Sequence, residues 1–238
     1  MIPKIIHYVW VGRNPKPKNI QKCMKTWKKN LKGYKIIEWN EDNFDVHENK
    51  YIEEAYKAKK WAFVSDYIRA KVIYEYGGIY LDSDVILLNN FNKLLNNKCF
   101  IGFETKDLPF TAVFGAEPHH PLIKKMVDYY KDRDFKFKDN GEQPVTNTVS
   151  VSQILIKNYH CKLNDKEQLL NDGIRVYPSY ILCTPSKKSV SIHVFLGSWV
   201  TKDVTLRHKI MMFLRLNIRN SIEAELYHGL LKLFHRDI

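Results

Sequence analysis

Apolar and polar positions follow two different periods along the first part of the chain. Apolar runs rich in Ile and Val, at residues 2–11 and 34–39, predict buried strands. Between them the apolar residues of 20–31 recur at helical spacing, with lysines on the other faces. A second helical pattern covers residues 51–76 and is expected to break near residues 60–61, before a Gly-Gly stop. The chain therefore starts by alternating strand and helix.

The same alternation continues through the first 120 residues. Further strands are predicted at residues 79–88, 99–104, 110–116, 174–177 and 190–196. Further helices are predicted at residues 121–130 and 149–158 and in two segments after residue 204, while residues 132–144 are polar and irregular. This order predicts an α/β fold with a mostly parallel, mixed sheet flanked by helices. Ligands of such sheets bind beyond the carboxyl ends of the strands.

Two aspartates interrupt the apolar run EYGGIYLDSDV at residues 75–85. In an extended backbone residues two apart point to the same side, so Asp82 and Asp84 would present their carboxylates together. Carboxylates at close range repel each other unless a cation lies beside them, and hard oxygen ligands favour Mg²⁺ or Mn²⁺. The spacing predicts a metal site of the kind that binds a diphosphate.

A D-x-D motif alone is weak, because so short a pattern often arises by chance. The chain has a second one at residues 132–134, among Lys and Arg and outside any predicted strand, where a solvated loop is expected. The first motif differs because an apolar strand surrounds it. The helix before it carries Asp66 and Arg69 three residues apart, hence on one face. They would form either a partly buried ion pair or contacts to sugar or ribose hydroxyls.

Composition narrows the class of protein. With 45% hydrophobic residues and no repeat or low-complexity tract, the chain predicts one compact domain. No signal peptide or membrane-spanning run is apparent, so a cytoplasmic protein is expected. The four cysteines have no C-x-x-C spacing and are expected to be buried thiols. The net charge is +12, and residues 13–35 hold nine Lys and Arg without an acid, which indicates a solvated face or a surface that meets phosphates.

Three elements, in order, resemble glycosyltransferase family 32. Ser65-Asp66-x-x-Arg69 followed by GGIYLDSD resembles the D-x-D block of that family, which includes bacterial capsule and lipopolysaccharide transferases and yeast initiating α-1,6-mannosyltransferases. Clostridial glucosylating toxins share the block. The opening IPKIIHYVWVG resembles the family's first strand, and residues 193–199 resemble its H-x-W-x-x-S-W element, with Phe195 where many relatives have Trp. The resemblance fades after about residue 201.

The resemblance implies a GT-A fold over residues 1–202, with residues 203–238 as a helical tail. It also implies a retaining, metal-dependent transfer of a hexose or N-acetylhexosamine from a nucleotide-sugar. A UDP-sugar is favoured, GDP-mannose is the alternative, and Mn²⁺ or Mg²⁺ is the cofactor. The acceptor would be a glycan or lipid-linked oligosaccharide in bacterial surface polysaccharide synthesis, and no nucleic-acid partner is expected.

Site residues are carried over by position in the shared elements. The donor contacts implied are Val9, Trp10, Ser65, Asp66, Arg69, Asp82, Ser198 and Trp199. The metal ligands implied are Asp82, Asp84 and His193. Trp10 would stack on the base, although alone it would be read as a core residue, and His193 would otherwise be a core histidine. No catalytic nucleophile is assigned.

The tail has a basic amphipathic pattern. Its apolar positions 206, 210, 213, 214 and 218 are interleaved with Arg207, Lys209, Arg215 and Arg219. This pattern fits either peripheral attachment to an anionic inner-membrane surface or a helix packed on the domain with its charges in water.

Two other functions remain open at this point. Paired aspartates and a basic surface also serve metal-dependent nucleic-acid or nucleotidyl phosphoryl transfer. The chain has no second clear carboxylate cluster for a two-metal site and no array of aromatics for stacking bases. A non-catalytic relative that binds sugar nucleotides is the other alternative.

Overall fold

The structure is a computed structural model that describes residues 1–135, 145–196 and 205–234, without the side chains of residues 208 and 231–234. Its strands are β1 (Ile5–Val9), β2 (Lys35–Trp39), β3 (Gly78–Leu81), β4 (Val85–Leu87), β5 (Cys99–Gly102), β6 (Val113–Ala116), β7 (Gln168–Leu169), β8 (Ile174–Tyr177) and β9 (Ser191–His193). Its α-helices are α1 (Lys18–Asn30), α2 (Lys50–Lys57), α3 (Trp61–Tyr76), α4 (Pro121–Asp128), α5 (Asn147–Tyr159), α6 (Ser179–Leu182), α7 (Leu206–Leu216) and α8 (Ser221–Phe234).

A seven-stranded sheet within the described ranges forms the centre of the fold, in the order β2-β1-β3-β6-β5-β8-β7. Strand β1 runs parallel to β2 and β3, and β5 runs parallel to β8. Strands β6 and β7 are antiparallel to their neighbours, so the other five point the same way. The predicted α/β fold with a mostly parallel, mixed sheet is confirmed.

Apolar side chains cover both faces of this sheet. Along β1, Ile6 and Tyr8 pack in a cluster with Trp27 of α1, while Val9 packs in another cluster with α2, α3, α4 and α5. This division follows from the alternation of side chains along a strand. The helices thus cover the two faces and leave the carboxyl ends of the strands to form the site.

A two-glycine turn carries the chain from α3 into β3. Gly77 and Gly78 have φ values of +61° and +104°, and a Cβ on Gly78 would lie 2.6 Å from the carbonyl oxygen of Ile5. The buried His7 holds this turn: its Nδ1 accepts the indole N–H of Trp39 and its Nε2 donates to the carbonyl of Gly77, both at 2.9 Å. Burial lowers the pKa of His7 to about 4, so the ring is neutral.

The prediction of a single extended strand at residues 79–88 was wrong. The chain turns after β3, where the Val85 N–H donates to the carbonyl of Asp82 at 3.1 Å. Strand β4 then leaves the main sheet and pairs antiparallel with β9, with Val85 opposite His193. The sequence did not reveal this turn because both flanks are apolar and buried, with Leu81 and Val85 in the same apolar cluster. Asp and Ser are nevertheless common turn residues.

Other elements differ from the prediction mainly at their ends. The break between α2 and α3 is confirmed, whereas the strand predicted at residues 190–196 ends at His193. It ends there because Phe195 has a φ of +60°, which no strand accommodates. Strand β7 and helix α6 were not predicted, since both are very short.

The last two helices pack on the main domain through a third apolar cluster. This cluster comprises Cys23, Ile86, Ile192, Val194, Ile218, Ala224 and Tyr227. A boundary at residues 202/203 falls outside the described residues and stays a prediction. All four cysteines are buried free thiols, as expected. Within the described ranges no helix has the length and apolar character needed to cross a membrane.

Candidate donor and metal site

Two neighbouring parallel strands deliver candidate residues to one edge of the sheet. Strand β1 ends at Val9 and β3 ends at Leu81, with His7 beside Tyr80 in the register. Trp10 and the Asp-Ser-Asp turn therefore leave the sheet at the same edge. This is the edge at which open α/β sheets bind ligands.

The structure brings Asp82, Asp84 and His193 together. One ligand atom from each lies within 4.8 Å of the others, and His193 Nε2 is 3.4 Å from Asp84 Oδ1. The two aspartates reach this position through a turn rather than through the extended backbone that the sequence suggested. His193 arrives from the end of β9, because β9 pairs with the strand that follows the turn.

These residues fit a divalent cation. Two carboxylates and an imidazole form a donor set that suits Mn²⁺ or Mg²⁺. His193 Nδ1 is buried without a hydrogen-bond partner, and Glu104 Oε2 lies 3.7 Å from it. Because Nε2 is the ring nitrogen that faces Asp84, Nε2 would bind the cation, and Nδ1 lies on the side of Glu104, where a carboxylate can orient the ring. The role of these three residues as metal ligands stays a prediction.

The pKa values in this cluster shift in directions that depend on the neighbours of each group. Burial alone would raise the pKa of Asp84, but the His193 ring and the Leu196 N–H at 2.9 Å outweigh it and the pKa is lowered. Burial would lower the pKa of His193, yet Asp84 raises it well above its usual value. For Asp82 burial is the largest influence and raises the pKa despite Arg69. The Asp84 carboxylate thus favours a positively charged group next to it, which in the absence of a cation is the protonated His193 ring.

The segment after β9 wraps around Asp84. The Val194 N–H donates to the Asp84 carbonyl at 3.2 Å, and the Leu196 N–H donates to its carboxylate. Between them Phe195 adopts a left-handed backbone and lays its ring 3.9 Å from the His193 ring, centre to centre. A non-glycine residue in this conformation is uncommon and costs free energy. Its position against a candidate ligand is typical of a functional segment.

Arg69 links the helix α3 to the Asp-Ser-Asp turn. Its Nη2 lies 3.1 Å from Asp66 Oδ1 and 3.1 Å from Asp82 Oδ1, and it donates to the Ser65 hydroxyl at 2.9 Å. The guanidinium also stacks on the Tyr80 ring at 4.5 Å. The ion pair predicted between Asp66 and Arg69 is therefore present. It also lies beside the metal cluster, where the alternative prediction placed contacts to sugar or ribose hydroxyls.

Asp66 is held by the protein itself. Its Oδ2 accepts the backbone N–H of Asn147 at 3.2 Å, and burial raises its pKa to about 6 although Arg69 opposes this. The Ser65 hydroxyl donates to the carbonyl of Ala62 at 2.7 Å. Contacts of Ser65 and Asp66 with a donor stay a prediction.

Trp10 lies partly exposed at the end of β1. Its backbone N–H donates to the Trp39 carbonyl at 2.9 Å and its indole N–H to the Asn14 carbonyl at 2.7 Å. The Lys16 ammonium lies 5.4 Å from the ring centre. Base stacking on Trp10 and backbone contacts from Val9 stay predictions. Ser198 and Trp199 lie outside the described residues.

The second D-x-D motif does not assemble such a site. Asp132 is exposed, and Asp134 forms an ion pair with Lys50 at 2.6 Å. Of the residues that the structure describes, neither aspartate belongs to a group of three metal-ligating side chains. The expectation that residues 132–134 form a surface loop agrees with this.

The match to a known family covers the part of the site formed by α3 and the Asp-Ser-Asp turn. Residues 17–101 match the family described as glycosyltransferase sugar-binding region containing DXD motif. Residues 17–101 are thus similar to the DXD region of this glycosyltransferase family. The resemblance of the D-x-D block is thereby confirmed, while the opening strand and residues 193–199 lie outside the matched range.

Individual proteins match this chain over parts of their length. An uncharacterized glycosyltransferase of Acanthamoeba polyphaga mimivirus is 31% identical over 62% of this chain and 61% of its own. Inositol phosphoceramide mannosyltransferase 1 of Schizosaccharomyces pombe is 23% identical over 85% of this chain and 63% of its own. The chain thus spans less than two thirds of either relative. Among solved structures, the PaToxG glycosyltransferase has a TM-score of 0.47 and 19% identity, covering 66% of this chain and 69% of its own.

Two residues at the DXD site escaped the sequence reasoning. Glu104 follows β5, which points the same way as β3, so an acid at the carboxyl end of an apolar strand was the available signal. Arg215 of α7 donates from Nη1 to the His193 carbonyl at 3.0 Å and from Nε to the Tyr227 hydroxyl at 3.1 Å. Arg215 lies outside the family motifs, so nothing in the sequence indicated this contact.

Replacing Arg215 by Ala is expected to weaken Mn²⁺ binding about tenfold, as loss of a group that orients a metal ligand commonly does. The reason is that the His193 carbonyl then loses the hydrogen bond from Arg215 that holds its backbone in place. Calorimetric titration with Mn²⁺ measures this directly. Arg219→Ala is the matched control, since that exposed arginine makes only a backbone contact to Glu223 among the hydrogen bonds described. Equal Mn²⁺ affinity of both variants would contradict the role, and Arg215→Lys should restore part of the loss.

Proposed function

We propose that this chain is a metal-dependent family-32 glycosyltransferase that moves a hexose or N-acetylhexosamine from a nucleotide-sugar to a glycan acceptor with retention of configuration. A UDP-sugar is the favoured donor and GDP-mannose the alternative. The observation that carries the proposal is the grouping of Asp82, Asp84 and His193 at the carboxyl edge of the sheet, with both aspartates inside the matched DXD region.

The metal would be held by these three side chains, with Mn²⁺ favoured over Mg²⁺. When bound, it would neutralise the negative charge that develops on the leaving nucleoside diphosphate. The protein holds its ligands in place before binding: the Leu196 N–H fixes the Asp84 carboxylate, and the Arg69 guanidinium fixes the Asp82 carboxylate. Ligands fixed in advance need little rearrangement during the reaction, which is the main source of electrostatic catalysis.

The donor would lie along the edge between β1 and β3. Trp10 would stack on the base and the Val9 backbone would bind its edge, while Arg69 and Asp66 would face the sugar and the Asp82 carboxylate the ribose. Support for this order comes from the neighbouring ends of the two parallel strands. Ser198 and Trp199 would cover the diphosphate, a proposal that rests on the family resemblance alone.

For the acceptor we propose a glycan or lipid-linked oligosaccharide in bacterial surface polysaccharide synthesis, capsule or lipopolysaccharide, at the cytoplasmic side of the inner membrane. This setting rests on the sequence resemblance and on the basic tail. Peripheral contact through the basic tail is the mode of attachment proposed.

A donor-hydrolysis assay tests the activity without knowledge of the acceptor. The protein is incubated with UDP- and GDP-sugars and the released nucleotide is measured, with EDTA and after addition of Mn²⁺ or Mg²⁺. We expect release from one donor class only, its loss in EDTA and its recovery with Mn²⁺. Release that persists unchanged in EDTA would contradict the metal role. The anomeric proton signal of a transfer product reports retention or inversion.

Thermal shifts separate the two other functions. Stabilisation by a nucleotide with Mn²⁺ and by no DNA supports the proposal, whereas stabilisation by single-stranded DNA alone would favour a phosphoryl-transfer enzyme. Stabilisation by a nucleotide-sugar without any turnover would indicate a non-catalytic relative.

A further inference from the structure

Helix α7 exposes an apolar stripe. Leu206, Ile210 and Phe213 are 74%, 49% and 66% exposed and recur at helical spacing, so they share one face. Arg207 and Lys209 lie on either side of that stripe and are exposed too. Large apolar side chains in such a row rarely face water without a partner.

Helix α8 repeats the arrangement. Ile222, Leu226 and Leu230 are 73%, 66% and 45% exposed at spacings of four residues. The opposite face carries the buried Ala224 and Tyr227, which attach the helix to the domain. The exposed row therefore points away from the protein. These two helices hold more than half of the large apolar side chains that are exposed within the described ranges.

Helix α1 contributes a row of cations beside the apolar stripe of α7. Lys18, Lys22, Lys25 and Lys29 are all exposed and recur at spacings of three and four residues, opposite the buried face of α1. Lys22 Nζ donates to Asn217 Oδ1 at 2.6 Å, and Asn217 continues the helical spacing of the α7 stripe. The lysine row and the apolar stripe therefore meet on one surface.

We propose that this surface, formed by the exposed stripes of α1, α7 and α8, binds an anionic lipid membrane. Charge complementarity selects this partner: residues 13–35 and 205–222 contain no acid, while the exposed cations Arg207, Lys209 and Arg219 join the lysine row. An apolar row inserts into the boundary between headgroups and acyl chains, and the flanking cations attract anionic lipids. Nucleic acid would match the charge but not the exposed aliphatic rows.

Helix α7 connects this surface with the metal cluster. Arg215 belongs to α7 and bonds the His193 carbonyl, so the helix that would lie on the lipid also touches the candidate ligand strand. If the proposed function holds, a lipid-linked acceptor would be presented close to the site. Membrane binding itself does not require that function, and its test does not measure transfer.

Sedimentation with vesicles tests the proposal on the full chain. Vesicles of phosphatidylcholine alone and of phosphatidylcholine with phosphatidylglycerol are compared at low and high salt. We expect binding to the anionic vesicles only, weakened by salt. Reversal of the lysine row by Lys18→Glu, Lys25→Glu and Lys29→Glu together should weaken the partition at least about tenfold, since each cation near an anionic surface contributes measurably.

A second variant separates insertion from charge attraction. Leu226→Glu should also weaken the partition about tenfold, because it places a charge in the inserted row. Leu169→Glu, at an equally exposed apolar position on β7, is the matched control and should bind as the unaltered chain does. Both variants should hydrolyse the donor in solution at the unaltered rate. Equal binding to neutral vesicles, or no vesicle binding together with a dimer that Leu226→Glu dissociates, would overturn the proposal.

Discussion

Asp84→Asn is expected to lower metal-dependent donor hydrolysis by on the order of a hundredfold or more, the scale of losing one preorganised electrostatic group. Asn keeps the size of the side chain and can still accept the Leu196 N–H, so the fold should survive. The neutral amide, however, no longer offers a charged ligand beside His193 Nε2. Initial rates at saturating Mn²⁺ and the Mn²⁺ dissociation constant are measured together.

The second D-x-D motif supplies the control for Asp84. Asp132→Asn removes an exposed aspartate of the same spacing pattern that lies in a turn and joins no described metal group. It should leave both the rate and Mn²⁺ affinity unchanged. Full Mn²⁺-dependent activity of Asp84→Asn would show that the metal assignment is wrong, whatever Asp132→Asn does.

Arg69→Met is expected to have the largest effect on stability, about 3–5 kcal/mol, the usual cost of breaking a buried ion pair from one side. Arg69 and Asp66 side chains are each 9% exposed, and Asp82 is 24% exposed. Without the guanidinium, the two carboxylates face each other with no neighbouring positive group from α3. Urea unfolding followed by circular dichroism gives the free energy of unfolding.

The loss in Arg69→Met should depend on pH. Burial raises the pKa of Asp66 to about 6, above its value in an unfolded chain, so its protonated form stabilises the fold and this stabilisation is lost as pH rises from about 4 to 6. The positive charge of Arg69 lowers the pKa of Asp66. Without Arg69 that pKa is higher still, so the protonated form of Asp66 stabilises the variant up to a higher pH. The variant should therefore lose less stability at pH 5 than at pH 8. Equal losses at both pH values would contradict this account, and Arg69→Lys should retain part of the stability at pH 8.

The sequence led to the aspartates but not to the way in which they meet. An apolar strand after a Gly-Gly stop was enough to single out Asp82 and Asp84, because charged groups in such a setting require partners. The turn between them was missed because the residues on both sides of it, Leu81 and Val85, are apolar and buried in one cluster. Local patterns report burial but do not report which sheet a strand joins.

Residues from distant parts of the chain were harder to foresee. His193 was proposed from its place in a family element, and nothing in its apolar neighbourhood distinguished it from a core histidine. Glu104 and Arg215 reach the same cluster through strand order and helix packing, which a single sequence does not specify. The α/β architecture itself followed from alternation alone, because strand and helix periods are local properties.

The bond from Leu196 to Asp84 joins residues 112 positions apart, and it depends on the pairing of β4 with β9. Contacts of such long range are slow to form, because closing a long loop costs chain entropy before it gains anything. The three candidate ligands can therefore meet only after nearly the whole sheet domain has folded. A stopped-flow signal from Mn²⁺ captured during refolding would mark the completion of folding, and any earlier compact intermediate should bind the ion weakly.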